Sequence, residues 1–453
     1  MTESFSKPVT PDGVTGMIFA AEGIRKTIVL LNGPMGCRFY HSTTSQFLSI
    51  HPLLKYPAAD GQEIPIDYND LNSWFFRQQR VPSTWLDGED YVFGTAEKVR
   101  EGLIYLRDHI AFDFAVIINA PGASLIGDRL EDMTDELLPD RHHLVMESPG
   151  FSTSFSEGYA WFCHRLVEKL TEKPVGGRGG MESSDYGSHR PRVNVIGLSI
   201  WDRYYEGDRQ EIRRLLDMCG TEVNCFLASD CSLEEIRRIP LADANLVLDP
   251  SRGKETARYL EEVFGIPAFT CECLPIGFDR TMRLCQGLKE LLKMDIRAVE
   301  EEEKRLRALA WYKINGIYQS SGLPTGAVFA LEGSYNQVYA YADFLCGYLG
   351  MIPDLILVPD QMEQREEECL RQLMEKHHAS GALTAVPEES KAEIVLGDAN
   401  FIAAMTCRGM DYSGIEISYP GMGYTDLVPK THLGLSGAMF LTEQILNGLM
   451  TRL

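Results

Sequence analysis

The sequence predicts an α/β protein with mostly parallel sheets, arranged as three Rossmann-like domains, and three observations carry that prediction. Short β-rich apolar runs alternate with amphipathic helical stretches in three successive blocks. Gly-containing turns, Gly33-Pro34-Met35-Gly36 and Glu332-Gly333-Ser334, follow runs where a strand hands over to a helix. A Gly- and Ser-rich stretch, Lys173 to Arg190, separates the first block from the second. With 453 residues, 44% of them hydrophobic, the chain is long enough to bury several cores. The expected domains are 1–175, 191–310 and 320–453.

In the first block, Val14, Met17, Ile18, Ala21 and Ile24 recur at helical spacing. The run Thr27 to Leu31 reads as a buried strand, the Gly33–Gly36 turn breaks it, and a helix is expected to start near Arg38. Phe112 to Asn119 and Leu144 to Met146 read as further strands. The second block opens with a strand from Val193, followed by a helix over Arg209–Met218 and a strand over Val223–Leu227. Ser232 with Glu235 forms a capping box for a short helix. A strand at Ala244–Leu248, a helix ending at Phe264 and a strand at Ile266–Thr270 complete it. The charge run Glu300 to Arg307 reads as a solvated helix face. In the third block, strands are expected at Gly326–Leu331, Leu355–Val358 and Ile394–Leu396. A charged helix spans Gln361–His378 and a last helix runs to Leu453. The blocks share an architecture but no clear sequence repeat.

Lys and Arg number 43 against 65 Asp and Glu, a net charge of −22. That balance speaks against nucleic acid as a partner, because phosphate affinity needs a basic face, and against a surface that seeks anionic lipid. No apolar run approaches the roughly 20 residues of a membrane span, and the N-terminus has no apolar signal region, so a cytoplasmic protein is expected. The 11 cysteines are odd in number and scattered, which fits intracellular thiols better than a disulfide framework. No GxxxxGK(S/T) phosphate loop occurs, so the chain is not expected to hydrolyse ATP itself. There is no GxGxxG after a strand and no HExxH, GxSxG or CxxC.

The informative segment is Thr27–Tyr40, TIVLLNGPMGCRFY. Cys37 stands in a Gly-rich turn past a buried strand, where ligands of open α/β sheets gather. A following helix would favour its thiolate through the helix dipole and free amides. Gly33 and Gly36 would let the backbone approach a bulky inorganic group. On these residues alone Cys37 reads either as a metal ligand or reactive thiol, or as a small buried residue in a tight turn.

The span Gly13–Tyr40 resembles the N-terminal cluster-binding segment of the nitrogenase component 1 superfamily. That superfamily includes the nitrogenase molybdenum-iron protein subunits, the cofactor-assembly scaffold pair and the dark-operative protochlorophyllide reductases. The resemblance continues through Leu125–Asp128 (LIGD), Gly265-Ile266-Pro267, Leu274–Asp279 (LPIGFD) and Gly434–Phe440 (GLSGAMF), closer to β-type than to α-type subunits. It covers nearly the whole chain and implies a nitrogenase component 1-like fold.

The departures are as informative as the matches. Of the three cysteine positions that hold the P-cluster in each nitrogenase subunit, the second matches Cys37, while the first falls near Asp12 and the third near Pro121. An eight-iron cluster is therefore not expected. The resemblance implies instead a 4Fe-4S cluster shared with a partner subunit. The α-like partner would give three thiolates and this β-like chain would give Cys37. It further implies an (αβ)₂ heterotetramer handled anaerobically, fed with electrons by an ATP-dependent iron protein-type reductase. The alternative it leaves open is a non-catalytic scaffold on which a metallocluster is built. The positions that anchor the nitrogenase cofactor in α subunits fall at Asp249 and near Tyr424, neither suited to that role.

Further candidates carry a structural reading beside the functional one. His432 is a candidate proton donor in a central cavity, or a surface or capping histidine. Cys271 and Cys273 form a CxC that lacks a third ligand nearby, and Cys219, Cys225 and Cys231 read as buried structural thiols. Trp74-Phe75-Phe76 and Trp85 line a pocket or a subunit contact, or by default pack a core, and Arg38 and His41 follow the cluster loop and face a docking reductase in the functional reading.

Overall fold

The computed structural model describes residues 11–38, 81–148, 150, 152–171, 190–407, 409–419, 421 and 426–452. The described strands form three all-parallel sheets. The first holds β1 (Thr27–Asn32), β2 (Phe114–Asn119) and β3 (His142–Met146). The second holds β4 (Arg192–Ile196), β5 (Glu222–Phe226), β6 (Ala244–Val247) and β7 (Ala268–Thr270). The third holds β8 (Val328–Glu332), β9 (Ile352–Leu357), β10 (Ile394–Gly397) and β11 (Ser413–Glu416). Fifteen helices are described. In the first part of the chain they are α1 (Gly13–Glu22), α2 (Asp90–Phe93), α3 (Ala96–His109), α4 (Pro121–Ser124), α5 (Leu130–Leu137) and α6 (Phe155–Leu170). Next come α7 (Tyr205–Met218), α8 (Leu233–Arg237), α9 (Pro250–Phe264), α10 (Phe278–Leu292) and α11 (Arg297–Ser321). The last four are α12 (Tyr335–Gly347), α13 (Gln364–Lys376), α14 (Ala399–Cys407) and α15 (Gly434–Met450).

The second sheet has the order β5-β4-β6-β7 and the third β9-β8-β10-β11, so both wind as 2-1-3-4. The first sheet follows the same plan. Leu31 forms a parallel bridge with Ser83, with Leu31 N donating to the Pro82 carbonyl at 2.9 Å, which puts residues 82–84 on the open edge of β1. In each sheet the winding therefore reverses beside the first strand. Crevices open at the carboxyl ends of β1/β2, β4/β6 and β8/β10, the places where such sheets take ligands.

The expected strands are present with ends shifted by a few residues. A 3-10 turn, Met35–Arg38, precedes the helix expected to start near Arg38, whose further residues lie outside the described ones. Most of the Lys173–Arg190 linker lies outside the described residues. The charge run belongs to the long helix α11, in which Val299 and Ala310 are the buried residues. Strand β11 was not expected, because its sequence SGIE offers one apolar side chain.

The sheets are fastened by close helix packing. All ten residues of α1 are buried, as befits a helix apolar on every side. It crosses α6 backbone to backbone: a Cβ on Gly16 would come 2.0 Å from the Phe155 carbonyl oxygen, and one on Gly158 would come 2.0 Å from that of Gly13. The core does not follow the three-block division of the sequence. One apolar cluster runs from Val193 to Leu449, and another joins α1, β1 and α6 to Ile196, Leu227 and Leu260.

The last helix is fixed from across the molecule. Asp208, on α7, accepts hydrogen bonds from Thr431 Oγ1 at 2.6 Å and His432 N at 3.3 Å. Glu211, one turn on, accepts from Ser436 N at 3.0 Å and Ser436 Oγ at 2.8 Å, and so caps the first turn of α15. Burial pushes the Asp208 carboxyl up to about 8 against the pull of its hydrogen bonds. Burial, helped by the charge of Asp398, does the same to Glu332.

Two outcomes follow from this packing. Gly16→Ala or Gly158→Ala must prise α1 from α6, and should destabilise the chain by about 1–3 kcal/mol or more in denaturant titrations. An unchanged midpoint would mean that the helices are not in backbone contact. Asp208 and Glu332 hold protons in the fold up to about pH 8, whereas unfolded carboxyls ionise near 4. Their contribution is complete below that lower value and is lost as pH rises through about 8. Thermal midpoints should therefore fall from pH 6.5 to 9, with a shallower slope in Asp208→Asn and in Glu332→Gln. A flat wild-type profile would refute the assignment.

Candidate functional site

Strands β1 and β2 run in register from Thr27↔Phe114 to Asn32↔Asn119, so two buried asparagines lie side by side where both strands end. Asn32 Nδ2 donates to Asn119 Oδ1 and to Thr95 Oγ1, each at 2.8 Å, and Asn119 Nδ2 donates to Glu147 Oε1 at 2.8 Å. Thr84 Oγ1 donates to Asn32 Oδ1 at 2.9 Å. Thr95 N and Oγ1 both donate to Asp128 Oδ2, at 2.6 and 2.8 Å. The aspartate of the LIGD segment thus helps to build the first crevice.

The Cys37 loop hangs from this network. Ser83 Oγ donates to the Gly33 carbonyl at 2.6 Å, and Gly33 N donates to Thr84 Oγ1 at 3.1 Å. A Cβ on Gly33 would come 2.6 Å from that of Ala120, so this glycine permits the close approach of two loops. Among the described residues nothing comes within 4 Å of the Gly36 Cβ position. Cys37 N closes the 3-10 turn onto the Pro34 carbonyl at 3.2 Å, and its thiol is half-buried against the core.

The helix whose dipole was expected to help Cys37 lies outside the described residues. Within them the Cys37 thiol is pushed up, first by burial and then by the charge of Asp12. Asp12 itself caps α1, accepting from Thr15 N at 2.9 Å. Pro121 opens the short helix α4 and supplies no thiol. Tyr91, on α2, lies against Gly122, where a Cβ would come 2.8 Å from its ring. Around this crevice Trp85, Tyr91, Val92, Phe93 and Leu125 form an exposed apolar face, with Phe93 85% and Leu125 88% accessible.

Comparison with known proteins agrees with this arrangement. Residues 13–450 match the family described as Nitrogenase component 1 type Oxidoreductase. The chain belongs to that family. The B subunit of a light-independent protochlorophyllide reductase from Synechococcus sp. (strain RCC307) is 29% identical over 243 residues, 52% of this chain and 45% of its own length. The corresponding B subunit from Prochlorococcus marinus (strain MIT 9211) is 26% identical over 363 residues, 78% of this chain and 66% of that one. The aligned part of the chain thus spans about half to two thirds of such relatives. A solved nitrogenase Cp1, determined at pH 6.5, superposes with a TM-score of 0.74 at 16% identity, covering 100% of this chain and 95% of that one. At that identity the likeness shows the fold.

For a nitrogenase component 1 type chain, the second crevice matters as the place of the sequence position matched by Asp249. Asp249 caps α9 at the end of β6 and is fully buried. It accepts from Asn336 Nδ2 at 2.6 Å and faces Arg252, whose Nη1 lies 2.7 Å from Asp202 Oδ1. Arg252 is also buried over the rings of Phe155 and Tyr159. An ion network fills this place, and Tyr424 lies outside the described residues. Arg203 makes a second buried bridge, to Glu416 at 3.2 Å and Asp426 at 2.7 Å.

His432 lies in the core beside the start of α15. It is buried, Nδ1 pairs with the Tyr341 hydroxyl at 2.7 Å and Nε2 with Gln444 Oε1 at 2.6 Å. Burial lowers its pKa to about 4, which leaves it neutral. Cys271 and Cys273 are buried thiols pushed up by desolvation, Cys273 to about 12. Cys219, Cys225 and Cys231 are likewise in the core. Among the described residues, no group of three or more His, Cys, Asp or Glu is arranged to hold a metal ion. Trp85 is exposed rather than a core residue. Trp74-Phe75-Phe76 and His41 lie outside the described residues.

The asparagine pair and Tyr91 were missed in the sequence, although Asn32 and Asn119 close two recognisable strand runs, and such matched polar ends are a readable signal. Replacing Asn119 with Ala leaves Asn32 and Glu147 without their buried partner. It should cost about 1–3 kcal/mol in denaturant titrations. A neutral effect would show that the network does not hold the crevice.

Proposed function

We propose that this chain is the β-like subunit of a nitrogenase-like multi-electron reductase and that Cys37 supplies one ligand to a 4Fe-4S cluster shared with an α-like subunit. The observation that carries this reading is a single half-buried thiol at the crevice of the first sheet, beside an exposed apolar face. The donor set fits one corner of such a cluster: Cys37 is the described thiol there, no described residue crowds the Cβ position of Gly36, and Asp12 and Pro121 stand where other thiols would be needed for a larger one. Bound there, the cluster would supply one-electron transfer. The chain's own part is to hold the thiol through the Gly33–Ala120 contact and the asparagine network, and to exclude water with Trp85, Phe93 and Leu125 once a partner covers them.

A homodimer would bring two Cys37 thiols, short of four ligands, so the partner in this reading is a different chain. Electrons would come from a separate ATP-hydrolysing, iron protein-type reductase, since no phosphate loop occurs in the sequence. The relatives named as B subunits of light-independent protochlorophyllide reductase support the reductase class without fixing the substrate. No helix among the described residues is long and apolar enough to cross a membrane, which suits a component of a cytoplasmic complex.

The test is anaerobic affinity purification from the native host, for wild type and Cys37→Ala, with iron counted. An α-like partner with about four irons per pair, lost in the variant, is the expected result. A full complement of iron in Cys37→Ala would overturn the assignment. Iron that passes to an acceptor protein without turnover would instead identify a cluster-assembly scaffold.

A further inference from the structure

The second and third sheets share one winding, and each of their crevices carries a pair of acids. In the second, Asp202 follows β4 and Asp249 stands two residues past the end of β6, where it caps α9 by accepting from Ser251 N at 2.9 Å. In the third, Glu332 is the last residue of β8 and Asp398 the first past β10. Asp398 caps α14 likewise, accepting from Phe401 N at 2.7 Å. Strands β8 and β10 run in register from Phe329↔Ile394 to Leu331↔Leu396, which sets Glu332 level with Gly397 and next to Asp398. Gly397 is level in turn with Glu416, the last residue of β11.

What differs is the cation. Arg252, three residues after Asp249, lies between the second pair, its Nη1 2.7 Å from Asp202 Oδ1 and its Nε 3.6 Å from Asp249 Oδ2. Three residues after Asp398 the chain has Phe401 instead, whose Cδ1 would come 2.6 Å from a Cβ on Gly397. Arg203 serves Glu416 and Asp426, at 3.2 and 2.7 Å. Glu332 is 7% exposed, and its carboxyl has no hydrogen-bond or ion-pair partner among the described residues. It meets the charge of Asp398, so it is turned into the crevice. A carboxyl buried to that degree is ordinarily paired. The chain itself shows what completes two acids at such a strand end: a guanidinium.

We propose that the third crevice binds a guanidinium group supplied from outside the chain, held between Glu332 and Asp398 as Arg252 is held between Asp202 and Asp249. A guanidinium presents N–H donors in a planar fork that matches carboxylate oxygens. Arg252 also lies over the rings of Phe155 and Tyr159, and Phe401 offers a ring beside the third pair. The partly exposed Asp398 and the exposed Asn400 mark the side from which the group enters. The site is separate from Cys37 and does not depend on a cluster.

The experiment is calorimetric titration of the full chain with methylguanidinium, and with methylurea as its uncharged counterpart of the same shape. Methylguanidinium should bind at a single site, and methylurea should not. At pH 7 binding should release about one proton, read from buffers of different ionisation enthalpy, because Glu332 otherwise keeps its proton up to about pH 8. Glu332→Gln should weaken binding by about tenfold or more and abolish the proton release. Asp398→Asn, which keeps a capping side chain at the start of α14, should weaken it likewise. The same titration on the complex purified from the native host separates the two sources of the group. A site closed there is filled by an arginine of the partner subunit, and a site still open takes a free guanidinium compound. Equal affinity in wild type and both variants, or no preference for methylguanidinium over methylurea, overturns the proposal.

Discussion

The pairing of Asn32 with Asn119 is the contact on which the first crevice depends. Two parallel strands that end together leave backbone and loop groups to be satisfied at the same level. A buried amide pair does this while fixing the distance between the departing chains. Each asparagine uses its amide and its carbonyl, and the network passes outward to Thr84, Thr95, Asp128 and Glu147. The Gly33–Ala120 contact, the turn at Cys37 and the seat of Tyr91 on Gly122 all follow from that spacing. The site is rigid where it meets the sheet.

The three crevices of the molecule have one topology and three different chemistries. The first ends in a thiol. The second is closed by Arg252 between Asp202 and Asp249, with Asn336 completing the set. In the third, Glu332 and Asp398 face each other with both carboxyls pushed up by burial. Shared winding therefore says where a ligand can sit, and the side chains at each strand end decide whether one can. A buried cation held by two carboxylates and two aromatic rings leaves no room for a large inorganic group without the loss of several strong contacts.

Much of this was legible in the sequence. The alternation of apolar runs and helices gave the class, and capping pairs such as Ser232 with Glu235 marked helix starts that the structure reproduces with both hydrogen bonds. Cys37 was singled out because it stands in a Gly-rich turn past a buried strand, and the structure puts it there, half-buried. What stayed hidden depends on contacts between distant segments. The role of Gly33 is set by Ala120, that of Gly16 by Phe155, and the burial of His432 by Tyr341 and Gln444. The 3-10 turn that carries Cys37 was not foreseen either, because four residues of Gly-rich sequence have no readable period. Ile212, Leu215 and Leu216 were readable as one face of α7, but not that α15 would cover it.

That last arrangement has a bearing on synthesis. Asp208 and the Thr431 that it binds are 223 residues apart. At translation rates of roughly 5–20 residues per second, α7 waits about 10–45 s before its covering helix leaves the ribosome. During that interval the apolar face of α7 lacks the helix that covers it, as do β10 and β11 of the third sheet. The packing of α15 is thus a late step: a ribosome that stalls shortly before it holds a chain with every described strand made and α7 still uncovered.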